Sequence, residues 1–265
     1  MEITKLANIE GKYALVSGGA GYIGFTICET LCELGVKIII ADIDKINGEK
    51  YSEILNEKFK NSTKFINCDL TSKNEIDKLV DYVENEYDSL DILINCASLV
   101  GTSEIKGWAT KFENQEYEAF EKSLNINLTS TFYMIQKLKY HLHKAENPSI
   151  INISSIYGFA GQKMSMYKDM DYLTPAGYSA SKGGLIQLTK YLASILSPQI
   201  RVNCISPGGI KNNQSKEFIK RYENITPMQR MGERDDIKGA IHFLSSNLSS
   251  YITGQNIIID GGWSL

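Results

Sequence analysis

The sequence offers few metal ligands: three histidines (His141, His143, His242) and five cysteines (Cys28, Cys32, Cys68, Cys96, Cys204). The cysteines are scattered and form no Cys-x-x-Cys pair, and their odd number does not suggest a disulfide framework. Cys28 and Cys32 share one predicted helix face, where a reduced core role outweighs a zinc site. No metal is expected. A basic tract is also missing and the net charge is −3, which disfavours nucleic acid and anionic membrane as partners. No apolar run approaches the length of a membrane span, and Met1-Glu2-Ile3-Thr4-Lys5 lacks the charged and apolar regions of a secretory leader. The expected compartment is the cytoplasm. Repeats, low-complexity segments and linkers are absent too, so residues 1–265 are expected to form one domain.

What is present is an alternation of short apolar runs and helical patterns. Lys12-Tyr13-Ala14-Leu15-Val16-Ser17 reads as a buried strand entering Gly18-Gly19-Ala20-Gly21-Tyr22-Ile23-Gly24, and Phe25 to Gly35 carries apolar residues at helical spacing with a glycine stop. Strand, glycine turn and helix together suit a pyrophosphate, because glycine admits close backbone approach and the helix N-terminus presents oriented N–H groups. Val36 to Ala41 closes the βαβ unit and ends in Asp42. A carboxylate there accepts the hydroxyls of an adenosine ribose and repels a 2′-phosphate, which favours NAD over NADP; the alternative is that Asp42 caps the next helix.

Further strands are predicted at Lys64–Cys68, leading to Asp69-Leu70, and at Leu90–Ile94, leading to Asn95-Cys96-Ala97-Ser98. Gly101 to Asn114 is a long polar loop in which Trp108 reads as an exposed aromatic. A helix over Glu116–His143 is interrupted by Asn125-Ile126-Asn127, poor helix formers that suggest a break with a purpose. Ser149–Ile153 and Ile200–Ile205 are buried strands, and Asn256–Asp260 is the last. Phe159 to Thr174, rich in Tyr and Met, suits an adaptable pocket wall or a self-packed surface loop. Lys211 to Gly232 has weak apolar periodicity and reads as a mobile lid, while Glu233–Ser245 reads as a helix. The expected fold is α/β: a Rossmann-type, doubly wound parallel sheet of about seven strands with helices on both faces.

The stretch with the most chemistry is Tyr178-Ser179-Ala180-Ser181-Lys182, in a helix predicted to begin near Pro175. Tyr178 and Lys182 then share a face one turn apart, where the ammonium favours the phenolate. The spacing alone is common, recurring at Tyr133–Lys137 and Tyr140–Lys144 inside a long helix. Only Tyr178 and Lys182 follow a buried strand that ends in Ser154-Ser155, and strand ends are where open α/β sheets place their chemistry.

In order, these motifs are the glycine turn, Asp69, Asn95-Cys96-Ala97-Ser98, Asn127, Ser155, Tyr178 with Lys182, Pro207-Gly208 and Ile252-Thr253-Gly254-Gln255 leading to Asp260-Gly261-Gly262. From Gly11 to Gly262 the chain resembles the short-chain dehydrogenase/reductase family, in its short single-domain branch. The resemblance implies Tyr178 as general acid/base, Lys182 on the nicotinamide ribose and tuning the phenol downward, Ser155 on the substrate oxygen, and Asn127 in a water-linked proton relay. It further implies dinucleotide contacts from Gly18, Tyr22, Ile23, Asp42, Asp69, Leu70, Asn95, Ala97, Tyr178, Lys182, Pro207, Gly208 and Ile210. The long helices Glu116–His143 and Pro175–Leu196 resemble those that pair across two-fold axes in the family, implying a homodimer or homotetramer.

Three departures stand out. Tyr22 occupies a place where the short branch usually carries glycine, giving the glycine spacing of the extended branch. Ser155 and Tyr178 lie 23 positions apart, about ten more than usual in the short branch, and Ser154 to Gly158 also looks like the extended branch. Asn212 stands where a threonine commonly contacts the nicotinamide amide. The activity expected is interconversion of a secondary alcohol and a ketone on a polar hydroxylated small molecule, a sugar or nucleotide sugar, with the insertion resembling surface-glycan and flagellin-modification enzymes. The alternatives are a reductase of 3-oxoacyl or other apolar ketones and a non-catalytic NAD-binding protein. A nucleotide-sugar dehydratase is disfavoured, because Ile156-Tyr157 replace the acidic pair expected beside the serine.

Overall fold

The computed structural model of the chain describes residues 2–60, 62–100 and 103–265. Seven strands among them, β1 (Tyr13–Ser17), β2 (Lys37–Asp42), β3 (Thr63–Asn67), β4 (Ile92–Asn95), β5 (Ser149–Ile153), β6 (Arg201–Pro207) and β7 (Asn256–Ile259), form one sheet. Every pairing is parallel and the order is β3-β2-β1-β4-β5-β6-β7. The helices are α1 (Ile3–Ala7), α2 (Tyr22–Glu33), α3 (Lys45–Phe59), α4 (Lys73–Glu86), α5 (Tyr117–Leu124), α6 (Ser130–His143), α7 (Ala176–Leu196), α8 (Lys216–Ile225) and α9 (Lys238–Ser245).

The strands read as nearly continuous apolar runs because helices cover both faces of the sheet. Strand periodicity then divides each run between two cores. The row Ile39, Leu15, Leu93, Ile150 and Val202 crosses the sheet in register and packs under α4, α6 and α7, against Leu79, Leu138 and Leu192. One residue on, Ile40, Val16, Ile94 and Ile151 face the opposite way and meet Ile27 and Leu31 of α2, Leu55 of α3 and Ile241 of α9. Chain order reverses at β1, which lies between β2 and β4. Such a switch point opens a crevice at the carboxyl ends of the strands.

Three expectations need correction. Trp108 is not exposed: it is 1% accessible, and its Nε1 donates to the Val100 carbonyl at 2.7 Å. Lys211 to Gly232 is more ordered than its weak periodicity suggests. It contains α8, capped by Ser215 Oγ accepting from Phe218 N, and Tyr222 and Met231 are buried beside Trp263. The helical face of Phe218, Ile219, Tyr222 and Ile225 is diluted in sequence by charged neighbours, which hides it until a partner surface exists. The helix expected over Glu233–Ser245 opens with a 3₁₀ turn, Arg234–Ile237, before α9. The five cysteines are free thiols, and Cys28, Cys32, Cys68 and Cys204 are buried.

Candidate active site

The glycine turn is built by steric necessity. Gly18 has φ +70°, and a Cβ there would overlap the backbone of Ala97 at the end of β4. A Cβ at Gly24 would overlap the Gly18 carbonyl oxygen. The turn thus brings β1 and β4 together and aims the first turn of α2, beginning at Tyr22 and Ile23, at the crevice. A cradle closed to any side chain larger than hydrogen fits a pyrophosphate lying against backbone N–H groups. Beside it, Asp42 Oδ2 accepts from Ala20 N and Oδ1 from Asp44 N, each at 2.9 Å. A carboxylate has about four acceptor sites, so two remain for ribose hydroxyls. Capping of α3 is done by Asp44, whose Oδ1 accepts from Asn47 N at 3.0 Å, which answers the alternative posed for Asp42.

Asp69 and Leu70 follow β3 on the same side as Asp42, with Asp69 Oδ1 accepting from Thr71 N at 2.8 Å. Asn95 has its side chain turned into the sheet, where Nδ2 donates to Asn152 Oδ1 at 2.8 Å and Asn152 Nδ2 donates to Thr189 Oγ1 at 2.9 Å. This polar rung ties β4, β5 and α7 together. Pro207 ends β6, Gly208 N donates to Ile259 O at 2.8 Å, and Ile210 pairs with Gly232 in an isolated parallel bridge.

At the end of β5, Ser154 and Ser155 are both buried, and they part company. Ser154 Oγ donates to the Lys182 carbonyl at 2.9 Å, whereas Ser155 Oγ accepts from Tyr157 N at 3.2 Å and stands beside the Tyr178 phenol. Lys182 is 2% accessible. Its ammonium donates to the Ile153 carbonyl at 2.7 Å and lies 5.7 Å from the centre of the Tyr178 ring. Burial pushes Lys182 down to about 8. Burial also holds the Tyr178 phenol above its ordinary value, with the Ser155 hydroxyl opposing the shift. Desolvation thus outweighs the hydrogen bond from Ser155 in setting the direction.

Asn127 is buried in a π-helical turn, Asn125–Thr129, between α5 and α6. Its Oδ1 accepts from Leu99 N at 2.7 Å, and its Nδ2 donates to Ser181 Oγ at 2.9 Å and to Leu99 O at 3.3 Å. The helix break expected around Asn125-Ile126-Asn127 is this turn, and such turns recur at functional sites. Asn127 so links the segment after β4 to the Tyr178 helix without bonding Lys182 itself.

Two walls stand near the phenol. Leu99, Trp108 and Ala119 pack against Tyr178. The Phe159–Thr174 segment buries Met166 and Tyr167 with Ile156, Tyr222 and Trp263, and Tyr167 is near enough to the phenol to help raise it. Tyr157 Oη and Tyr167 Oη share a hydrogen bond at 2.8 Å, and Tyr167 Oη meets Thr174 Oγ1 at 2.6 Å. Sequence reasoning missed Trp108 and Trp263 as wall residues and Ser181 as the partner of Asn127. Only Ser181 carried a local signal, as a small hydroxyl inside the Tyr178–Lys182 turn.

Comparison with known proteins agrees with this geometry. The family model described as enoyl-(acyl carrier protein) reductase matches residues 18–264. The chain belongs to the short-chain dehydrogenase/reductase family and is an oxidoreductase of that family. It is 30% identical over 259 residues to the post-translational flagellin modification protein A of Campylobacter coli, covering 97% of this chain and 100% of that one. It is equally 30% identical over 259 residues to the 3-oxoacyl-[acyl-carrier-protein] reductase FabG of Aquifex aeolicus, covering 96% and 98%. A short-chain dehydrogenase from Leptospira borgpetersenii, solved with bound NAD+, superposes with a TM-score of 0.83 at 35% identity, covering 97% of this chain and 94% of that one.

Proposed function

We propose that the chain, acting as one catalytic domain over residues 1–265, is an NAD-dependent oxidoreductase that interconverts a secondary alcohol and a ketone on a polar, hydroxylated small molecule. The observation that carries the reading is the placing, at the carboxyl ends of the strands, of Tyr178, Ser155 and buried Lys182 with a glycine cradle and the anchored Asp42 carboxylate. When bound, a nicotinamide dinucleotide supplies the hydride donor or acceptor. Tyr178 holds the proton that the substrate oxygen gains or loses, and a phenol kept protonated at neutral pH is in the acid form needed for ketone reduction. Ser155 Oγ positions that oxygen. Lys182 sets a buried positive charge beneath the phenol, and Asn127 fixes the backbone at Leu99 and the Tyr178 helix through Ser181.

The polar substrate class is supported by the hydroxyls of Tyr157, Tyr167 and Thr174 in the wall, and by the flagellin-modification relative. Support for NAD comes from the two acceptor sites that Asp42 leaves open. A second reading, reduction of a 3-oxoacyl ketone, draws on the equal similarity to FabG and on the apolar residues Met166, Phe218 and Met231 around the cleft. The two are separated by following the absorbance of NADH. Sugars, nucleotide sugars and simple alcohols are run against 3-oxoacyl thioesters, with NADP(H) in parallel. Turnover confined to thioesters would overturn the first reading. A cytoplasmic homodimer or homotetramer is part of the same proposal; a solution mass near 29.7 kDa would overturn the assembly.

A further inference from the structure

Tyr22 is the first residue of α2, and its hydroxyl donates to the carbonyl of Lys211 at 3.0 Å, across 189 positions of sequence. The two ends of this bond belong to opposite banks of the crevice. Tyr22 rises from the glycine turn after β1, whereas Lys211 lies in the segment that follows β6. In the sheet, β4 and β5 lie between those strands. Three inter-strand steps amount to roughly 14 Å, so the tyrosine side chain and the 208–211 segment together roof over the ends of β4 and β5. Those ends carry Ala97 and Ser155.

The far bank is held firmly. Lys211 N donates to Gly232 O at 2.7 Å, Gly232 N donates to Gly209 O at 2.9 Å, and Gln214 folds back to donate to Ile210 O at 2.9 Å while accepting from Asn212 N at 2.7 Å. The near bank is held by the helix itself. Tyr22 is 41% exposed, so the bond is a strand of structure over an open groove rather than part of a core.

Resting on the reading of this crevice as a dinucleotide site, we infer that the Tyr22–Lys211 hydrogen bond is a strap across it. Asp42 marks one end of the ligand on the far side of β1, and Tyr178 with Lys182 marks the other beside β5. A dinucleotide reaching both runs beneath the strap. Loading and release then require the bond to open, and Tyr22 acts as a positioning residue for the Ile210–Gln214 segment rather than as a catalytic one.

The test is stopped-flow measurement of NADH fluorescence, association by mixing and dissociation by chase with excess NAD+, on the wild-type chain and Tyr22→Phe. Loss of the strap raises both rate constants, each by roughly two- to tenfold, as expected for removing one hydrogen bond from a barrier, while the equilibrium affinity changes less. Tyr22→Gly, which removes the whole side chain, raises both at least as far. A rise in dissociation alone would show a lost contact and overturn the strap. Rates equal to wild type in both variants would also overturn it. Wild-type protein that fails to bind NADH would sink the dinucleotide reading itself, and the strap with it.

Discussion

Lys182 donates its ammonium proton to the carbonyl of Ile153, the last residue of β5, at 2.7 Å. With the Ser154 Oγ bond to the Lys182 carbonyl, this bond ties the Tyr178 helix to the strand that delivers Ser155, and it holds a cation where almost no water reaches it. The consequences for stability and for turnover point in opposite directions.

Replacing Lys182 with Met abolishes turnover yet raises the thermal midpoint at pH 7. In the folded chain the lysine is lowered from 10.5 to about 8, so below pH 8 both folded and unfolded states are charged and the folded state bears the full cost of burial. Between about pH 8 and 10.5 the unfolded chain binds more protons, and wild-type stability rises relative to the variant. The shift corresponds to about 3 kcal/mol. Denaturant unfolding of both proteins at pH 7 and pH 10 checks this: the advantage of Lys182→Met should shrink at the higher pH.

Tyr178→Phe removes the proton-carrying oxygen and leaves the cradle untouched. The turnover number should fall by roughly 10²–10⁴ while NADH affinity, read by fluorescence titration, stays nearly constant. Retained turnover would remove Tyr178 from the mechanism.

Ketone reduction should fall as pH rises above about 8, where Lys182 loses its charge. The phenol itself stays protonated further up, since burial raises it. A pH profile with its first break near 8 that vanishes in a profile of NADH affinity would locate the effect in chemistry rather than binding.

Asp42→Ala tests cofactor choice. The carboxylate is fixed by the N–H groups of Ala20 and Asp44, so removing it deletes both the ribose acceptors and the repulsion of a 2′-phosphate. The preference for NADH over NADPH should narrow by on the order of tenfold, or about 1.4 kcal/mol. Parallel Kd measurements with the two cofactors read it directly.

Gly24→Ala places a methyl on the Gly18 carbonyl oxygen. Overpacking of this kind costs about 1–3 kcal/mol, and the turn can relieve it only by moving away from the pyrophosphate position. A lowered thermal midpoint together with weakened NADH binding is expected; a drop in stability alone would mean the cradle does not face the ligand.

The sheet was legible because its strands are buried on both faces and therefore spell runs such as Lys37-Ile38-Ile39-Ile40 with little ambiguity. Tyr178 and Lys182 were legible because their spacing coincides with one helical turn after a serine-bearing strand. The break at Asn125-Ile126-Asn127 announced itself through poor helix formers amid apolar neighbours. Other features depend on who sits opposite. Trp108 is buried only because Leu99 and Ala119 close over it, and nothing in Gly107-Trp108-Ala109 reports that. Asn95 turns to Asn152 because of strand register, and α8 needs the surface of Trp263 and Tyr167 to make its apolar side coherent. The direction of the phenol shift is likewise a matter of enclosure, which spacing along one helix does not contain.

The widened turn at Asn125–Thr129 constrains how this chain can change. A helix absorbs one extra residue in such a turn without changing which side chains face inward, so trimming one amino acid there to restore regular winding would leave Met134, Leu138 and Leu142 over the sheet they cover. What regular winding would lose is the turn that aims Asn127 at Leu99 and Ser181. The extra residue therefore serves the site rather than the cover of the sheet, and its deletion should cost turnover more than it costs the thermal midpoint.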